Sequence, residues 1–182
     1  AKANGVEFRA AVEVNGVDLD CKCVKIDGYE TIKARKIIIA TGSKPRPLGA
    51  PGENEYRGNG ISYCATCDAK YYDGKEVVVI GGGNSAIEEA LFISKFASKI
   101  TIVHQFDHLQ ANKEAQEKAF ADEKINFLFE HEPREFKKYG TMDMGVVVED
   151  LKTGEKKEVK TNGIFVFVGF IPNIEDFGDR LE

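Results

Sequence analysis

Cys64 and Cys67 stand in the run Cys64-Ala65-Thr66-Cys67-Asp68. Two thiols at this spacing can close a disulfide across one turn, and such pairs often have one depressed thiol pKa, especially at a helix start. The thiolate is the species that attacks in thiol–disulfide exchange. Asp68 follows directly and could move the proton that each exchange step requires. By itself the spacing fits a redox pair, half a zinc site or two unrelated core cysteines. Zinc needs about four ligands. Cys21 and Cys23 offer two more thiols, but Cys-x-Cys on a strand is poor zinc spacing, and His104, His108 and His131 lie elsewhere, so no metal set is assigned. Cys21 and Cys23 read instead as small apolar residues on one strand face, expected to stay reduced where Cys64 and Cys67 close.

A short run after the cysteines comes a strand-like stretch, Lys75-Glu76-Val77-Val78-Val79-Ile80, and then Gly81-Gly82-Gly83-Asn84-Ser85-Ala86. The latter fits G-x-G-x-x-A. Gly81 allows the tight turn, Gly83 lets backbone approach a pyrophosphate, and Ala86 keeps helix and strand close. The following helix start offers unpaired N–H groups to phosphates. Gly82, Asn84 and Ser85 complete the candidate cradle. His104 and Gln105, at the end of the next strand, join the cofactor-binding set. The bland alternative is a glycine-rich turn with no ligand. A dithiol just upstream of a dinucleotide fingerprint points to electrons moving between a nicotinamide and a disulfide.

The elements that must position these groups follow from patterning. In the 182 residues, 42% are hydrophobic and 30% charged, enough to build a core, and the net charge is −5. An acidic balance argues against nucleic acid or an anionic membrane as main partner. No apolar run approaches a membrane span of about 20 residues. The start of the chain has no signal-peptide core, and in a chain without a secretion signal paired cysteines read as catalytic or metal-binding rather than structural. A cytoplasmic location is therefore expected. Residues 6–14 alternate as a half-buried strand, Asn15-Gly16 signals a hairpin turn, and residues 17–23 continue the alternation. Asp27-Gly28 makes a second turn before a strand at 29–33. Residues 37–40 read as a strand buried on both faces, ending at Thr41-Gly42. The proline- and glycine-rich stretch 43–60 should hold nothing regular and marks a domain crossing. From Lys75 a βαβαβ unit is expected: strands at 77–80, 100–103 and 125–129, helices at 84–97 and 113–122, with right-handed crossovers. A hairpin of 145–149 with 156–160 and a buried strand at 163–169 follow.

Taken together, these stretches resemble the low-molecular-weight, bacterial-type thioredoxin reductases. The resemblance is carried by Ile38-Ile39-Ala40-Thr41-Gly42, by Tyr63-Cys64-Ala65-Thr66-Cys67-Asp68, by the glycine turn with Glu88-Glu89-Ala90, and by Gly163-Ile164-Phe165 with Gly169 and Pro172-Asn173. It covers nearly the whole chain. It implies an α/β fold: a Rossmann-like pyridine-nucleotide-binding domain with the CxxC over residues 46–171, a β-meander from a truncated FAD-binding domain over 1–45, and a return segment over 172–182. It implies that a nicotinamide reduces FAD, the flavin reduces the disulfide, and the dithiol reduces thioredoxin. Cys67 would face the flavin, Cys64 would attack the partner's disulfide, Asp68 would donate the proton, and Thr41 and Gly42 would join the cofactor-binding residues. Two domain orientations would alternate about crossings near 43–60 and 170–174, and the family is a homodimer.

Three departures shape the expectation. No second glycine fingerprint precedes Gly81 and the family's closing segment is missing, so the chain alone should hold FAD weakly. The family's arginine-rich stretch after the second strand reads His104-Gln105-Phe106-Asp107-His108-Leu109-Gln110, so NADH should bind at least as well as NADPH. Ala69 replaces a usual glycine. Two other functions fit the same residues: a dinucleotide-binding module without catalysis, and a reductase serving a peroxiredoxin.

Overall fold

A computed structural model describes residues 2–180. The chain forms two units, Ala1–Lys44 with Ile171–Glu182, and Pro45–Phe170.

The first unit carries an antiparallel meander of β1 (Val14–Asp18), β2 (Cys23–Ile26) and β3 (Glu30–Lys33). Residues 6–13 form no strand, and Asn15-Gly16 is not the turn expected there. Both residues lie inside β1, where the register slips between Val14 and Gly16. Asn15 prefers another partner: its Oδ1 accepts a 2.6 Å hydrogen bond from Gly28 N. The chain reverses instead after Asp18, whose Oδ1 accepts from Asp20 N at 2.9 Å and Cys21 N at 3.2 Å. An aspartate bonding the backbone two residues on is a turn former in its own right. Cys21 is therefore an exposed turn residue rather than a strand residue, and the structure bonds it to Cys23, against the expectation of two reduced thiols. The second turn falls as expected, with positive φ at Asp27 (53°) and Gly28 (77°) in a three-residue loop between the paired Ile26 and Glu30. Residues 37–40 form no strand among the described residues, and Ile38 is 92% exposed. An apolar run becomes a strand only where neighbouring strands supply its hydrogen bonds. Beyond it, β4 (Ser43–Pro45) pairs with β13 (Phe170–Pro172).

The second unit is built in three layers. Its centre is a parallel sheet in the order β5-β12-β6-β7-β8, from β5 (Ile61–Ser62), β6 (Glu76–Ile80), β7 (Lys99–His104), β8 (Ile125–Phe129) and β12 (Gly163–Val166). Side chains alternate across a strand. Val77 and Val79 of β6 accordingly join Phe165, Ile100 and Ile102 on one face, beneath α3 (Asn84–Ile93) and α4 (Lys113–Ala121). Val78 and Ile80 join Ile164, Val166 and Val103 on the other. That second face is covered by an antiparallel sheet of β9 (His131–Lys138), β10 (Met144–Asp150) and β11 (Lys156–Thr161), through Phe136, Met144, Val146 and Val148.

The expected inward stripe of the first long helix holds, since Ala86, Ala90, Ile93 and Ala97 are all fully buried. The helix itself ends at Ile93, earlier than expected. Ser94 Oγ donates back to Leu91 O at 2.9 Å, and the Phe96 carbonyl accepts from Gly74 N at 3.0 Å. Residues 43–60 are less irregular than their composition suggests, because they include a single turn of helix, α1 (Glu53–Tyr56). β9 gave no sequence signal. It is an edge strand with Pro133 at an irregularity in its ladder, and Phe136 is its one buried apolar residue.

A close approach fixes β12 against the helical layer. A Cβ on Gly163 would collide with the ring of Tyr72, which is buried and packs edge-on against Phe165 at 5.4 Å between centroids. Overpacking of this kind costs about 1–3 kcal/mol. Gly163→Ala should lower the unfolding free energy by that amount, read as a lower urea midpoint with an unchanged slope; an undisturbed midpoint would mean that Tyr72 moves freely.

Candidate functional site

Cys64 and Cys67 are disulfide-bonded, with Cα atoms 5.3 Å apart. Cys64 leaves β5 in extended conformation and is the N-cap of a one-turn helix, α2 (Ala65–Asp68). Its Sγ accepts a hydrogen bond from Cys67 N at 3.2 Å. A cap residue with a side-chain acceptor satisfies one of the helix's free N–H groups. Here the acceptor is sulfur, so the backbone donor favours a thiolate on Cys64 once the bond opens. Cys64 is half-buried and Cys67 is exposed.

Behind the pair lies a hydroxyl that the sequence reading did not single out. Ser62 is buried, donates to Asp68 Oδ2 at 2.6 Å and accepts from Cys64 N at 3.1 Å. The carboxylate of Asp68 is thereby tied to the backbone of Cys64. Its neighbour Tyr63 is anchored as well. Tyr63 donates its phenol to Glu53, a fully buried carboxylate that also accepts from Leu48 N at 2.9 Å and Gly49 N at 2.6 Å. Burial and then the Glu53 bond push the Tyr63 phenol well above its ordinary pKa. The same carboxylate thus holds both the proline-rich stretch and the residue beside Cys64.

The glycine turn sits between β6 and α3. Gly81 has φ +130°, and a Cβ there would collide with the carbonyl of Phe167. A Cβ on Gly82 would meet the ring of His104. Gly83 differs: it has an ordinary φ of −85°, and a Cβ there would meet nothing within 4 Å. Gly83 is the N-cap of α3 and provides no side chain, so no side-chain acceptor engages the first N–H groups of that helix. Ala86, fully buried, packs beneath Gly81. Ser85 is exposed at the helix start. The side chain of Asn84 is already engaged, accepting from Asn112 N at 2.7 Å, and Gln110 N donates to Gly82 O at 2.8 Å. These two bonds strap the loop after β7 against the glycine turn.

A cavity of about 600 Å³ opens on this turn, within the second unit. It is lined by residues 81–86, by His104, Gln105 and Gln110, and also by Arg46, His131 and Arg134, which the sequence reading did not assign. Arg46 lies in the proline-rich stretch, where a cation beside rigid turns was the available signal. His131 and Arg134 belong to β9, which was not read at all. Arg134 is spoken for by Glu149 and Glu132, each at 2.8 Å, and Glu149 chiefly raises its pKa. His104 is buried, its Nε2 has no hydrogen-bond partner, and burial holds its pKa down. In the exposed loop that follows, Asp107 accepts from His108 Nδ1 at 2.6 Å, which lowers the Asp107 pKa. Thr41 and Gly42 belong to the first unit: Thr41 Oγ1 donates to Asn173 O, and Gly42 O accepts from Asn173 N at 3.0 Å.

Among the described residues, no group of three or more His, Cys, Asp or Glu could hold a metal ion, and no helix is long and apolar enough to cross a membrane. The thioredoxin reductase of Bacillus subtilis is 43% identical over 178 residues, covering 97% of this chain and 56% of that protein. That of Peptoclostridium acidaminophilum is 45% identical over 172 residues, covering 91% and 54%. Among solved structures, Lactococcus lactis thioredoxin reductase superposes with a TM-score of 0.83 at 40% identity, covering 92% of this chain and 56% of that one. T. acidophilum thioredoxin reductase superposes at 0.84 with 32% identity, covering 96% and 57%. The chain spans about half the length of these relatives. The family profile described as pyridine nucleotide-disulphide oxidoreductase matches residues 1–182. Since that match runs along the whole sequence, the chain belongs to the pyridine nucleotide-disulphide oxidoreductases.

Proposed function

We propose that this chain is the nicotinamide-binding and dithiol-bearing part of a flavin-dependent thioredoxin reductase. The observation that carries the reading is a disulfide on a helix cap, in the same unit as an open dinucleotide-type glycine turn. Residues 46–171 are taken as the pyridine-nucleotide-binding domain, with residues 1–45 and 172–182 assigned to the flavin side. Thr41 and Gly42 go to the flavin side on resemblance alone.

The residues around α3 suit a nicotinamide dinucleotide. Gly83 leaves open space, and the unclaimed N–H groups of the helix start suit a pyrophosphate. Residues 81–86 would hold the nucleotide, which would supply a hydride, and a flavin would provide the electron pair that opens the disulfide. The steps that belong to this chain begin with the dithiol. The Cys64 thiolate, favoured by the Cys67 N–H, attacks a disulfide of a thioredoxin-like protein and forms a mixed disulfide, expelling one partner thiolate. The Cys67 thiolate then attacks Cys64 Sγ, reforms the internal disulfide and releases the second partner thiol. Asp68, held by Ser62, supplies and recovers the proton. Cys67, the more exposed of the two, takes the flavin-facing place by resemblance.

A proton carrier of this kind contributes roughly 10²–10⁴-fold to rate. Asp68→Asn, pre-reduced with excess dithiol and mixed with oxidised thioredoxin in stopped flow, should exchange slower by at least the lower bound while its thermal midpoint barely moves. A rate equal to that of the parent chain would remove Asp68 from the mechanism.

The glycine turn separates binding from folding. Gly83 has room and an ordinary φ, so Gly83→Val should leave stability near its original value and weaken nicotinamide nucleotide binding at least tenfold by filling the cradle. Gly81→Ala should instead destabilise the chain, because of its positive φ and the Phe167 carbonyl. Equal nucleotide affinity in Gly83→Val would put the ligand elsewhere.

Nucleotide choice follows from the loop after β7. A 2′-phosphate needs a fork of cationic donors. His104 is kept neutral by burial, Asp107 is kept ionised by His108, and Arg134 is neutralised by two carboxylates. Losing a charge-assisted hydrogen bond is worth roughly 1.5–3 kcal/mol, about 10- to 150-fold in affinity. NADH is therefore expected to bind at least as tightly as NADPH in calorimetric titration. Tenfold tighter NADPH would assign the missing cation to Arg46 or Lys113.

A further inference from the structure

The bond between Cys21 and Cys23 lies outside the machinery just described. Cys21 is exposed in the turn after β1, and Cys23 opens β2 half-buried. The turn brings them together. Their Cα atoms are 5.4 Å apart, whereas two extended residues at this spacing stand about 6.6 Å apart. Lys22, between them, has φ +56° and supplies the curl.

This bond is poorly suited to be a structural staple. The chain entropy removed by a disulfide grows with the loop it closes, and here the sequence separation is only 2, so the stabilisation from loop closure is small. The hairpin is also held without it. Val17 pairs with Val24 and Asp18 with Cys23 in the β1–β2 ladder, and the Asp18 carboxylate takes two N–H groups of the turn, including that of Cys21. Opening the bond therefore leaves the turn in place with two thiols facing each other. Lys22 lies between them in sequence and Lys33 pairs with Cys23 across β2–β3, while Asp18, which pairs with Cys23 across β1–β2, and Asp20 bring negative charge to the same turn.

We propose that Cys21 and Cys23 form a second, reversible dithiol–disulfide site that exchanges with low-molecular-weight thiols and disulfides, independently of Cys64 and Cys67. In the closing direction the exposed Cys21 thiolate attacks a small disulfide RS–SR, forming Cys21–S–S–R and expelling one RS⁻. The Cys23 thiolate then attacks the Cys21 sulfur, closes the internal bond and expels the second RS⁻. Two cysteine protons end on the two released thiolates. The dithiol has lost two electrons and RS–SR has gained them. Opening is the reverse, with two RSH as reductant.

The test uses the whole chain and its C64S/C67S variant, equilibrated in glutathione buffers from fully reduced to fully oxidised, quenched by alkylation and read by mass. In both proteins, Cys21 and Cys23 should lose alkylation together as the buffer is oxidised, with no glutathione retained, and regain it together when reduced glutathione is restored. C21S should convert this to a single glutathione adduct on Cys23, with circular dichroism unchanged. Two findings would overturn the proposal: both thiols alkylated to completion in fully oxidised buffer, or each carrying its own glutathione without closing the internal bond. Closure in the parent chain that disappears in C64S/C67S would also overturn it, because the second pair would then only follow the first.

Discussion

The second unit depends on one close approach of backbone to backbone. Where β6 ends, the chain turns beneath the carbonyl of Phe167, just beyond β12, and against the ring of His104 at the end of β7. Neither contact leaves room for a Cβ, and Gly81 adds a positive φ that side-chain-bearing residues rarely adopt. The packing of three adjacent parallel strands therefore sets where α3 begins. Because Ala86 is small and fully buried, α3 lies close on the sheet and its N-terminus faces the cavity. Gly83 is the exception that shows the division of labour. It has no packing reason to be glycine, since a Cβ there would stand in open space.

The dithiol is positioned by a different kind of constraint, a set of buried polar groups that all find partners. Buried polar groups are costly unless hydrogen-bonded. Glu53 meets that demand with two backbone N–H groups and the Tyr63 phenol, and Ser62 meets it with Asp68 and the Cys64 backbone. Apolar packing sets where the sheet is, but it is these directional bonds that aim the Cys64 cap. Asp68 gains from this arrangement a fixed orientation while remaining only half-buried.

How much of this could be read from residues alone depended on whether an element carries its own cause. The βαβαβ core was legible because Val77 to Ile80 and the Ala86, Ala90, Ile93 stripe declare their periods, and because a glycine fingerprint has one common structural use. The hairpin turn at Asp27-Gly28 was legible for the same reason: two residues that tolerate positive φ stand together. Asn15-Gly16 carried the same local signal but lost to a long-range partner, the Gly28 N–H, and Asp18 captured the turn. Residues 37–40 have the composition of a buried strand, but composition supplies no neighbouring ladder. β9 was invisible because an edge strand carrying a proline and many charges needs only Phe136 to seat it. At the site, the cysteines and glycines were legible by type and spacing. Ser62, Glu53 and Arg46 were not, since each matters through a partner distant in sequence or through the cavity it borders.

The two disulfides illustrate how one bond can differ by what surrounds it. Cys64 sits at the start of a helix, where a backbone N–H points at its sulfur and a buried serine bonded to a half-buried aspartate stands behind it. That setting makes the two sulfurs unlike: Cys64 Sγ accepts a backbone N–H, and Cys67 is the more exposed. Cys21 and Cys23 have no helix terminus and no buried carboxylate behind them. Their turn is held by Asp18 through backbone bonds that do not involve sulfur, and Asp18, Asp20 and Lys33 beside them are exposed to screening solvent. A helix cap holds its donor fixed. On the proposed readings, Cys64 and Cys67 would be the directional pair, with a backbone donor at one sulfur, while Cys21 and Cys23 would rely on their proximity in the turn.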